Sequence, residues 1–573
     1  MIPTRLALLA AATLAATLAA GCQSAYDVRT IDPLEISAFL ETTAAQPADP
    51  AAELRRLDAV GGDQAAGRAA EIAFVQAARL EAGAPQGAAS WYLLAAARAA
   101  DALALSPLDG GPRLTPRQAQ WLQLYNLATD RYLLMVHEVL GQPMVGHVRG
   151  SPRETFRVEV GHGGGLYDPR EVDQVLSATG RLIEGFTTHH RRSGVGAPCI
   201  VFRENRHLRP IERYYPPEGI TRAATAVLHF GAVGDDGLRQ VTLAFHDPDR
   251  HAAIPFAGGR APLAADFTAP YGYLLSRAHL KRLGRLGLLD PESSEHHRGF
   301  FMLDDYDPQK IPVLMVHGLW SSPLAWAGLT NELLGTAELR ARFQVWHYFY
   351  PTGLPYLYSA SLMRRELEAL RRELDPEGDD PATGAMVAIG HSMGGLLVKT
   401  LVADSGDTLL DAIFTVPPEG LRLPPEDVER LVDMFTFSPR PYVRRVVFIS
   451  TPHRGSAFAG NPVGQLAAAL STLPQELKSL LQRAAYDNPG AATPEMDPIL
   501  RRGGATSVRA LRPGFPLLTP FASIPVVAAH RPGFRADPAV RVACRGARHI
   551  GVGTLPAGDP LDDLGRRGTV VVE

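Results

Sequence analysis

The most constraining feature of this sequence is a serine set among glycines, between an apolar run and a helix-like run. Residues 385–389 read AMVAI, residues 390–395 read GHSMGG, and residues 396–402 read LLVKTLV. The first run is typical of a buried strand, and the apolar spacing after the glycines favours a helix. A sharp turn from strand to helix leaves no space for side chains two residues before and after the serine, at Gly390 and Gly394. The sequence therefore predicts a strand, a tight turn that exposes the hydroxyl of Ser392, and a helix.

Two further apolar runs place this turn in a larger sheet. Residues 311–316 read IPVLMV and precede HGLW, and residues 443–450 read VRRVVFIS and precede TPHRGS. Near-continuous apolar strands separated by helical segments are typical of a parallel sheet that is covered on both faces. A G-x-S-x-G pentapeptide arises readily by chance in a chain with 54 glycines, so the flanking strands carry the interpretation. We predict an α/β domain with a mostly parallel sheet over residues 301–573.

These segments resemble the α/β-hydrolase superfamily, in particular bacterial lipases and esterases, over roughly residues 300–530. The resemblance implies that Ser392 is a nucleophile that attacks a carboxylic ester and carries the acyl group, with an acyl ester or lipid as substrate. It implies an oxyanion hole from the backbone N–H groups of Leu319 and Met393, and a structural role for His317. No metal or organic cofactor is implied. The elbow around the nucleophile comprises Gly390, His391, Gly394 and Gly395.

No motif places the acid and the base of a catalytic triad. In this fold the acid follows the serine and the histidine follows the acid. The one histidine after residue 540 is His549, and the acids before Glu573 all follow it, so His549 as base and Asp563 as acid stand in reverse order. Asp559 and Asp562 share this fault. The other candidates, which have the same fault or no motif support, are His530 with Asp537, Asp404 and Asp411.

Two interpretations of the C-terminal part remain open. In the first, the last ~35 residues are out of frame. One choice of codons for LGRRG at 564–568, read one nucleotide later, gives Ser-Asp-Asp-Gly-Val, which is similar to the acid-bearing run of related lipases, and third-position freedom makes such a match possible by chance. In the second, the domain is catalytically impaired, and the protein is a hydrolase-like envelope lipoprotein that acts as a binding module. The intact elbow and oxyanion strand favour an enzyme, whereas the unplaced acid and histidine favour the binding module.

The first 22 residues predict export and a lipid anchor. Arg5 precedes an apolar stretch over residues 6–20, which is too short and too rich in alanine to favour a membrane-spanning helix. The run LAAGC that ends at Cys22 resembles a bacterial lipobox, whose cysteine is acylated, and Gln23 favours sorting to the outer membrane. An ordinary signal peptide is the alternative. We expect an exported protein of the cell envelope, anchored by acyl chains on Cys22.

The remaining residues divide by pattern into three regions. Residues 23–49 predict a flexible linker, and residues 50–150 are rich in alanine with helical spacing but without a clean 34-residue repeat. Residues 151–300 contain alternating stretches such as ATAVLHF at 224–230 and predict a β-rich accessory region. With a net charge of −3, the chain lacks the excess of positive charge that is typical of nucleic-acid-binding proteins. Three cysteines are too few for a disulfide framework or a four-ligand zinc site.

Two segments of the predicted α/β domain are insertions where lipase-like enzymes carry lids, residues 404–441 and 457–500. Leu431, Phe435 and Phe437 could line an acyl pocket there, and ordinary packing of a cap explains them equally well. Between the predicted strands, residues 359–374 form an amphipathic helical pattern with a leucine stripe and a charged face.

Overall fold

The computed structural model describes residues 27–30, 47–106, 114–141, 146–151, 153–161, 172–278, 294–456, 459 and 473–526. Contacts between Cα atoms divide these residues into two units. Unit 1 comprises the described residues up to Leu208 together with Pro217–Ala278. Unit 2 comprises Arg209–Pro216 and the described residues from Ser294 onward. Among the helices within these ranges, none is both long enough and apolar enough to cross a membrane.

Unit 1 begins with alanine-rich helices whose starts follow standard capping rules. Asp49 accepts a hydrogen bond from the backbone N–H of Ala52, and Thr115 forms a capping box with Gln118. Such caps satisfy backbone groups that lack an intrahelical partner. The helices of unit 1 are α1 (Pro50–Val60), α2 (Asp63–Leu80), α3 (Pro85–Leu105), α4 (Pro116–Leu133, continued by a π-helical turn over Leu134–Val139) and α5 (Ala269–Arg277).

The strands of unit 1 form a six-stranded sheet and three two-stranded sheets. The six-stranded sheet has the order β2-β3-β9-β8-β7-β4 and is antiparallel except between β3 and β9. The small sheets pair β1 with β5, β6 with β12 and β10 with β11. The strands are β1 (Asp27–Thr30), β2 (His147–Gly150), β3 (Thr155–Gly161), β4 (Gln174–Ser177), β5 (Arg181–Glu184), β6 (Arg191–Arg192), β7 (Ala197–Arg203), β8 (Ile220–Val233), β9 (Arg239–His246), β10 (Ala253–Phe256), β11 (Gly259–Pro262) and β12 (Ala265–Asp266).

The predicted boundary at residue 150 does not coincide with a division of the structure, because helices and sheet bury their apolar faces in one core. Leu94 of α3 and Val227 of β8 belong to the same buried cluster. The Tyr125 hydroxyl of α4 donates to the Leu228 carbonyl and accepts from its N–H, both at 2.8 Å. Part of the predicted linker differs as well, since β1 pairs antiparallel with β5.

Unit 2 is an α/β unit, as the sequence predicts, built on a five-stranded sheet of order β13-β15-β14-β16-β17. Four strands are parallel, and the edge strand β13 pairs antiparallel with β15. Strand β13 begins two residues before the predicted domain boundary at 301, and Arg209–Pro216 also belongs to this unit. The strands are β13 (Gly299–Met302), β14 (Ile311–Val316), β15 (Phe343–Phe349), β16 (Met386–His391) and β17 (Val443–Ile449).

The helices of unit 2 connect and accompany these strands. The predicted amphipathic helix is present and begins three residues earlier than the pattern indicated, at Tyr356. The helices are α6 (Ala327–Gly335), α7 (Ala337–Arg340), α8 (Tyr356–Leu374), α9 (Met393–Lys399), α10 (Thr408–Ile413), α11 (Pro425–Phe435), α12 (Gln475–Tyr486), α13 (Asp497–Arg501), α14 (Ser507–Ala510) and α15 (Leu518–Ser523).

Candidate active site

Ser392 lies in a strained turn at the carboxyl end of β16, directly before α9. Its backbone has φ 51° and ψ −124°, a left-handed conformation that side-chain-bearing residues rarely adopt. The Ser392 N–H donates to the Ile449 carbonyl at 2.8 Å, and the Gly395 N–H donates to the Ser392 carbonyl at 3.0 Å. Such a conformation costs of the order of 1–3 kcal/mol and persists only where its surroundings fix it. The side chain of Ser392 is partly exposed.

The glycines around Ser392 are required by the close approach of neighbouring backbone and side chains. A Cβ added at Gly390 would lie 2.5 Å from the Cα of Gly395. A Cβ at Gly394 would lie 2.3 Å from the carbonyl oxygen of Val316, at the end of β14. A Cβ at Gly395 would lie 1.9 Å from the Oγ1 of Thr451. The steric reason for this glycine pattern in the sequence is therefore present in the structure.

The loop after β14 lies directly against the nucleophile turn. A Cβ added at Gly318 would lie 2.9 Å from the Cβ of Ser392 and 2.9 Å from the Nδ1 of His391. Leu319 follows Gly318, and the next residue, Trp320, has φ 59° and donates its N–H to the Oγ1 of Thr352 at 3.2 Å. Leu319 thus lies in a loop that is held on one side by the serine turn and on the other by Thr352.

Strained backbone is concentrated at one edge of this sheet. In the described part of the chain, five residues other than glycine have positive φ, and three of them follow adjacent parallel strands. Trp320 lies beyond the end of β14, Ser392 directly follows β16, and Ser450, with φ 50°, directly follows β17. In open α/β sheets, ligands bind outside the carboxyl ends of the strands. The strain therefore marks this edge as the candidate site.

His317 is fully buried, and its imidazole holds the loop in place. Its Nδ1–H donates to the Gly318 carbonyl at 3.1 Å, its Nε2 accepts from the Tyr350 N–H at 3.4 Å, and its ring stacks on Tyr350. The Tyr350 hydroxyl donates to the His317 carbonyl at 2.8 Å. Burial lowers the pKa of His317 to about 4, so the ring is neutral at pH 7. Burial also lowers the pKa of His391, whose ring lies edge-on to Trp326.

A shallow, open apolar cavity lies in the same unit. Pro355, three residues after Thr352 in the chain, is one of its lining residues. Phe435 lines it, as the sequence allowed, whereas the Phe437 ring packs 6.2 Å from the Phe521 ring. The side chains that contribute to its wall come from α8, α11, α12 and the residues around α13 and α14, among them Leu357, Met434, Leu477, Leu481, Ile499 and Phe515.

Two contacts of this region were missed by sequence reasoning. Thr352 has no motif, and its role is visible only from the hydrogen bond to Trp320. Lys399, at the end of α9, is buried and donates from Nζ to the Phe521 carbonyl at 2.6 Å. Burial lowers the pKa of Lys399 to about 8. A lysine inside the apolar run LLVKTLV was the one signal in the sequence for an unusual environment.

Several predicted residues lie outside the described residues or away from the turn. Cys22, His549 and Asp563 are outside the described ranges, as are His530 and Asp537. Asp404 and Asp411 are described and exposed; Asp404 accepts from the N–H of Gly406, and Asp411 lies on α10. The structure therefore brings together Ser392, Gly318 and the elbow glycines, and the assignment of the acid and the base stays a prediction.

Comparison with known proteins gives limited similarities. No family model matches the chain, and no match was found among curated proteins. Solved structures that match include the Bacillus licheniformis lipase BlEst2 in mature form, with 18% identity and a TM-score of 0.20 over 38% of this chain and 62% of that chain. The propeptide form of BlEst2 matches with 18% identity and a TM-score of 0.20 over 38% of this chain and 34% of that chain.

A second esterase gives a similar result. Thermogutta terrifontis esterase 2 phosphoramylated by tabun matches with 14% identity and a TM-score of 0.17, over 32% of this chain and 61% of that chain. The matched part thus spans less than two thirds of the length of each of these proteins. At these scores the similarity assigns neither a detailed fold nor an activity to this chain.

Proposed function

We propose that this protein is a serine hydrolase that cleaves carboxylic esters through an acyl-enzyme on Ser392. The observation that carries the proposal is the strained turn of Ser392 at the carboxyl end of β16, with Gly318 packed against its Cβ. A turn of this kind presents a serine hydroxyl at the edge of the sheet, beside backbone N–H groups of two loops. The strained backbone of this turn is accounted for if the Ser392 hydroxyl must be exposed in order to react.

The proposed chemistry follows from these positions. The Ser392 Oγ attacks the ester carbonyl as a general base takes its proton, and the C–O bond to the alcohol breaks as that proton is returned to the leaving oxygen. The backbone N–H groups of Leu319 and Met393 donate to the oxygen that becomes negative in the tetrahedral intermediate. Water, deprotonated by the same base, then releases the acid and frees Ser392. His549, with Asp563 as its partner, is the first base to test.

The apolar cavity supports an acyl group without charge as the part of the substrate that the protein binds. Its wall is formed almost entirely by aliphatic and aromatic side chains, and Pro355, three residues after Thr352, contributes to it. Transfer of apolar surface from water contributes about 0.8 kcal/mol for each buried methylene. A straight acyl chain would bind more favourably in such a cavity because its apolar surface leaves water, whereas a charged group would lose its hydration there.

A non-catalytic binding module is the second candidate function. It is favoured by the order of residues after position 540, where the one histidine precedes the acids that could orient it. In this case the cavity would bind an apolar ligand without turnover. The two functions differ in whether Ser392 reacts.

Ester hydrolysis distinguishes the two candidates. Hydrolysis of p-nitrophenyl butyrate is measured for the chain as given, for a version whose last ~35 codons are read one frame over, and for Ser392→Ala in each background. Ser438→Ala, at an exposed serine of unit 2, is the control. For an active background we expect Ser392→Ala to lower kcat by about 10⁴ to 10⁶ and Ser438→Ala to leave it unchanged. Activity that Ser392→Ala does not reduce excludes the proposed mechanism, and no activity in either background favours the binding module.

We further propose that the protein is exported and anchored by acyl chains on Cys22, at the outer membrane. The support is the sequence run LAAGC at 18–22 with Gln23 behind it. Fractionation of cells that express the full-length chain or its Cys22→Ala variant tests the anchor. We expect the full-length chain in the membrane fraction and the variant outside it; equal release of both would contradict lipidation.

A further inference from the structure

Three histidines of unit 1 converge although their sequence spacing matches no metal motif. His229 lies on β8, His246 is the last residue of β9, and His251 lies in the turn that leads to β10. We call these residues the histidine trio. The ring centroids of His229 and His246 are 5.9 Å apart, and those of His246 and His251 are 6.4 Å apart, with both pairs edge to face. His246 is therefore the central member.

Ring packing alone does not account for this arrangement. The Nε2 of His246 and the Nδ1 of His251 are buried atoms without a hydrogen-bond partner. A buried polar atom without a hydrogen-bond partner is destabilising, and such atoms in native proteins call for a partner such as a bound ion or water. Two orphaned imidazole nitrogens on neighbouring rings give a reason to look for one shared partner.

We propose that the histidine trio binds one divalent transition-metal ion through one nitrogen of each ring. The expected ion is zinc. Imidazole is a preferred ligand for Zn²⁺, and three histidines leave a fourth position for water. The ion would join the end of β9 to the turn that follows it. That turn is already closed by the His251 N–H, which donates to the Asp247 carbonyl at 2.9 Å.

The trio must close around the ion. In the described residues, the three groups whose ligand atoms already lie within 4.8 Å of one another are Asp375, Asp379 and Asp380. In that acidic turn, the Asp375 carboxylate already accepts hydrogen bonds from the N–H groups of Asp379 and Asp380, which accounts for the arrangement without an ion. The trio's rings lie farther apart, so the partly buried side chains of His229 and His251 must turn toward His246 to bind one ion. We therefore expect a site of moderate affinity rather than a rigid one.

The test is metal binding by the full-length chain without a histidine tag. Zn²⁺ binding is measured by equilibrium dialysis, and Co²⁺ absorption reports whether nitrogen ligands surround the ion. We expect the wild type to bind one ion per chain and to unfold at a higher temperature with Zn²⁺. We expect His246→Ala and His251→Ala each to bind Zn²⁺ about tenfold more weakly, or weaker still. His189→Ala, at an exposed histidine of the same unit, should bind as the wild type does.

Either of two results would overturn the proposal. If the wild type binds no ion at 0.1 mM Zn²⁺, or if both trio variants bind as tightly as the wild type, the trio is not a metal site. Circular dichroism checks that each variant is folded. If His246→Ala does not fold, His246→Gln and the turn variant His251→Ala decide, since His251 is outside the sheet and its loss leaves the strands intact.

Discussion

At the scale of single residues, the site depends on backbone strain that glycine and close packing make tolerable. Ser392 keeps a left-handed conformation because its N–H is bound to the Ile449 carbonyl and its carbonyl to the Gly395 N–H. The packing of Thr451 on Gly395 closes the turn from the side of β17. These contacts fix the turn without using the hydroxyl group of Ser392.

Gly395→Ala should therefore destabilise unit 2 and abolish reaction at Ser392. The added methyl would lie 1.9 Å from the Thr451 Oγ1, so the start of the helix or the loop after β17 must move. We expect this movement to lower the free energy of unfolding by about 1–3 kcal/mol. Gly328→Ala on α6 is the matched control, because its Cβ meets no atom within 4 Å and alanine favours a helix. Urea unfolding measures both variants. Equal stability of Gly395→Ala and the wild type would show that the turn is not closely packed.

Lys399 should make stability depend on pH in a direction opposite to that of a surface lysine in an ion pair. Burial holds its pKa near 8 in the folded state, below the ordinary value of 10.5. Between these two values the unfolded chain binds more protons than the folded one, so the free energy of unfolding rises with pH. Relative to Lys399→Met, the wild type should therefore gain stability from pH 7 to pH 9.5.

Denaturant unfolding at several pH values measures this difference. Lys478→Met, at a partly exposed lysine on α12, controls for the loss of one positive charge. A constant difference between the wild type and Lys399→Met across this range, or a difference that changes in the other direction, would contradict the account of the buried amine.

At the scale of elements, alternation and apolar runs in the sequence were sufficient to locate much of the structure. Strand β8 contains the alternating run at 224–230, and β14 coincides with the apolar run at 311–316. Strand β16 begins one residue later than the apolar run at 385–389 and extends to His391. The boundary at 150 was not predictable, because the partner of an amphipathic face is a long-range property: the helices of unit 1 bury theirs against a sheet that is later in the chain. Residues such as Thr352 and Lys399 acquire their roles only through contacts with distant segments.

The cavity wall is built by elements that are distant in sequence, and narrowing it should change the preference for acyl length. Ile499, on α13, is a partly exposed lining residue. Ile499→Trp should lower kcat/KM for p-nitrophenyl octanoate relative to butyrate by about tenfold or more, because four methylenes contribute up to about 3 kcal/mol when buried. Val416→Trp, at an exposed apolar residue, is the control. An unchanged ratio in Ile499→Trp would remove the cavity from the acyl site.

At the scale of the whole molecule, the two units have different candidate roles. Unit 2 contains the strained serine turn and the cavity, and unit 1 contains the histidine trio. The proposed triad acid and base and the proposed lipid anchor fall on residues outside the described ranges, so they rest on sequence patterns alone. Reading of the nucleotide sequence from codon 540 onward is needed to choose between the two interpretations of the tail.

Labelling of Ser392 by a fluorophosphonate probe tests the central claim most directly. The probe is applied to the full-length chain and to the version with the alternative reading frame, and the modified peptide is identified by mass spectrometry. We predict a single modified residue, Ser392, in a background with a working base, and no labelling in its Ser392→Ala variant, because an activated serine is required for reaction. Labelling that persists in Ser392→Ala, or no labelling of Ser392 in either background, would contradict the proposal.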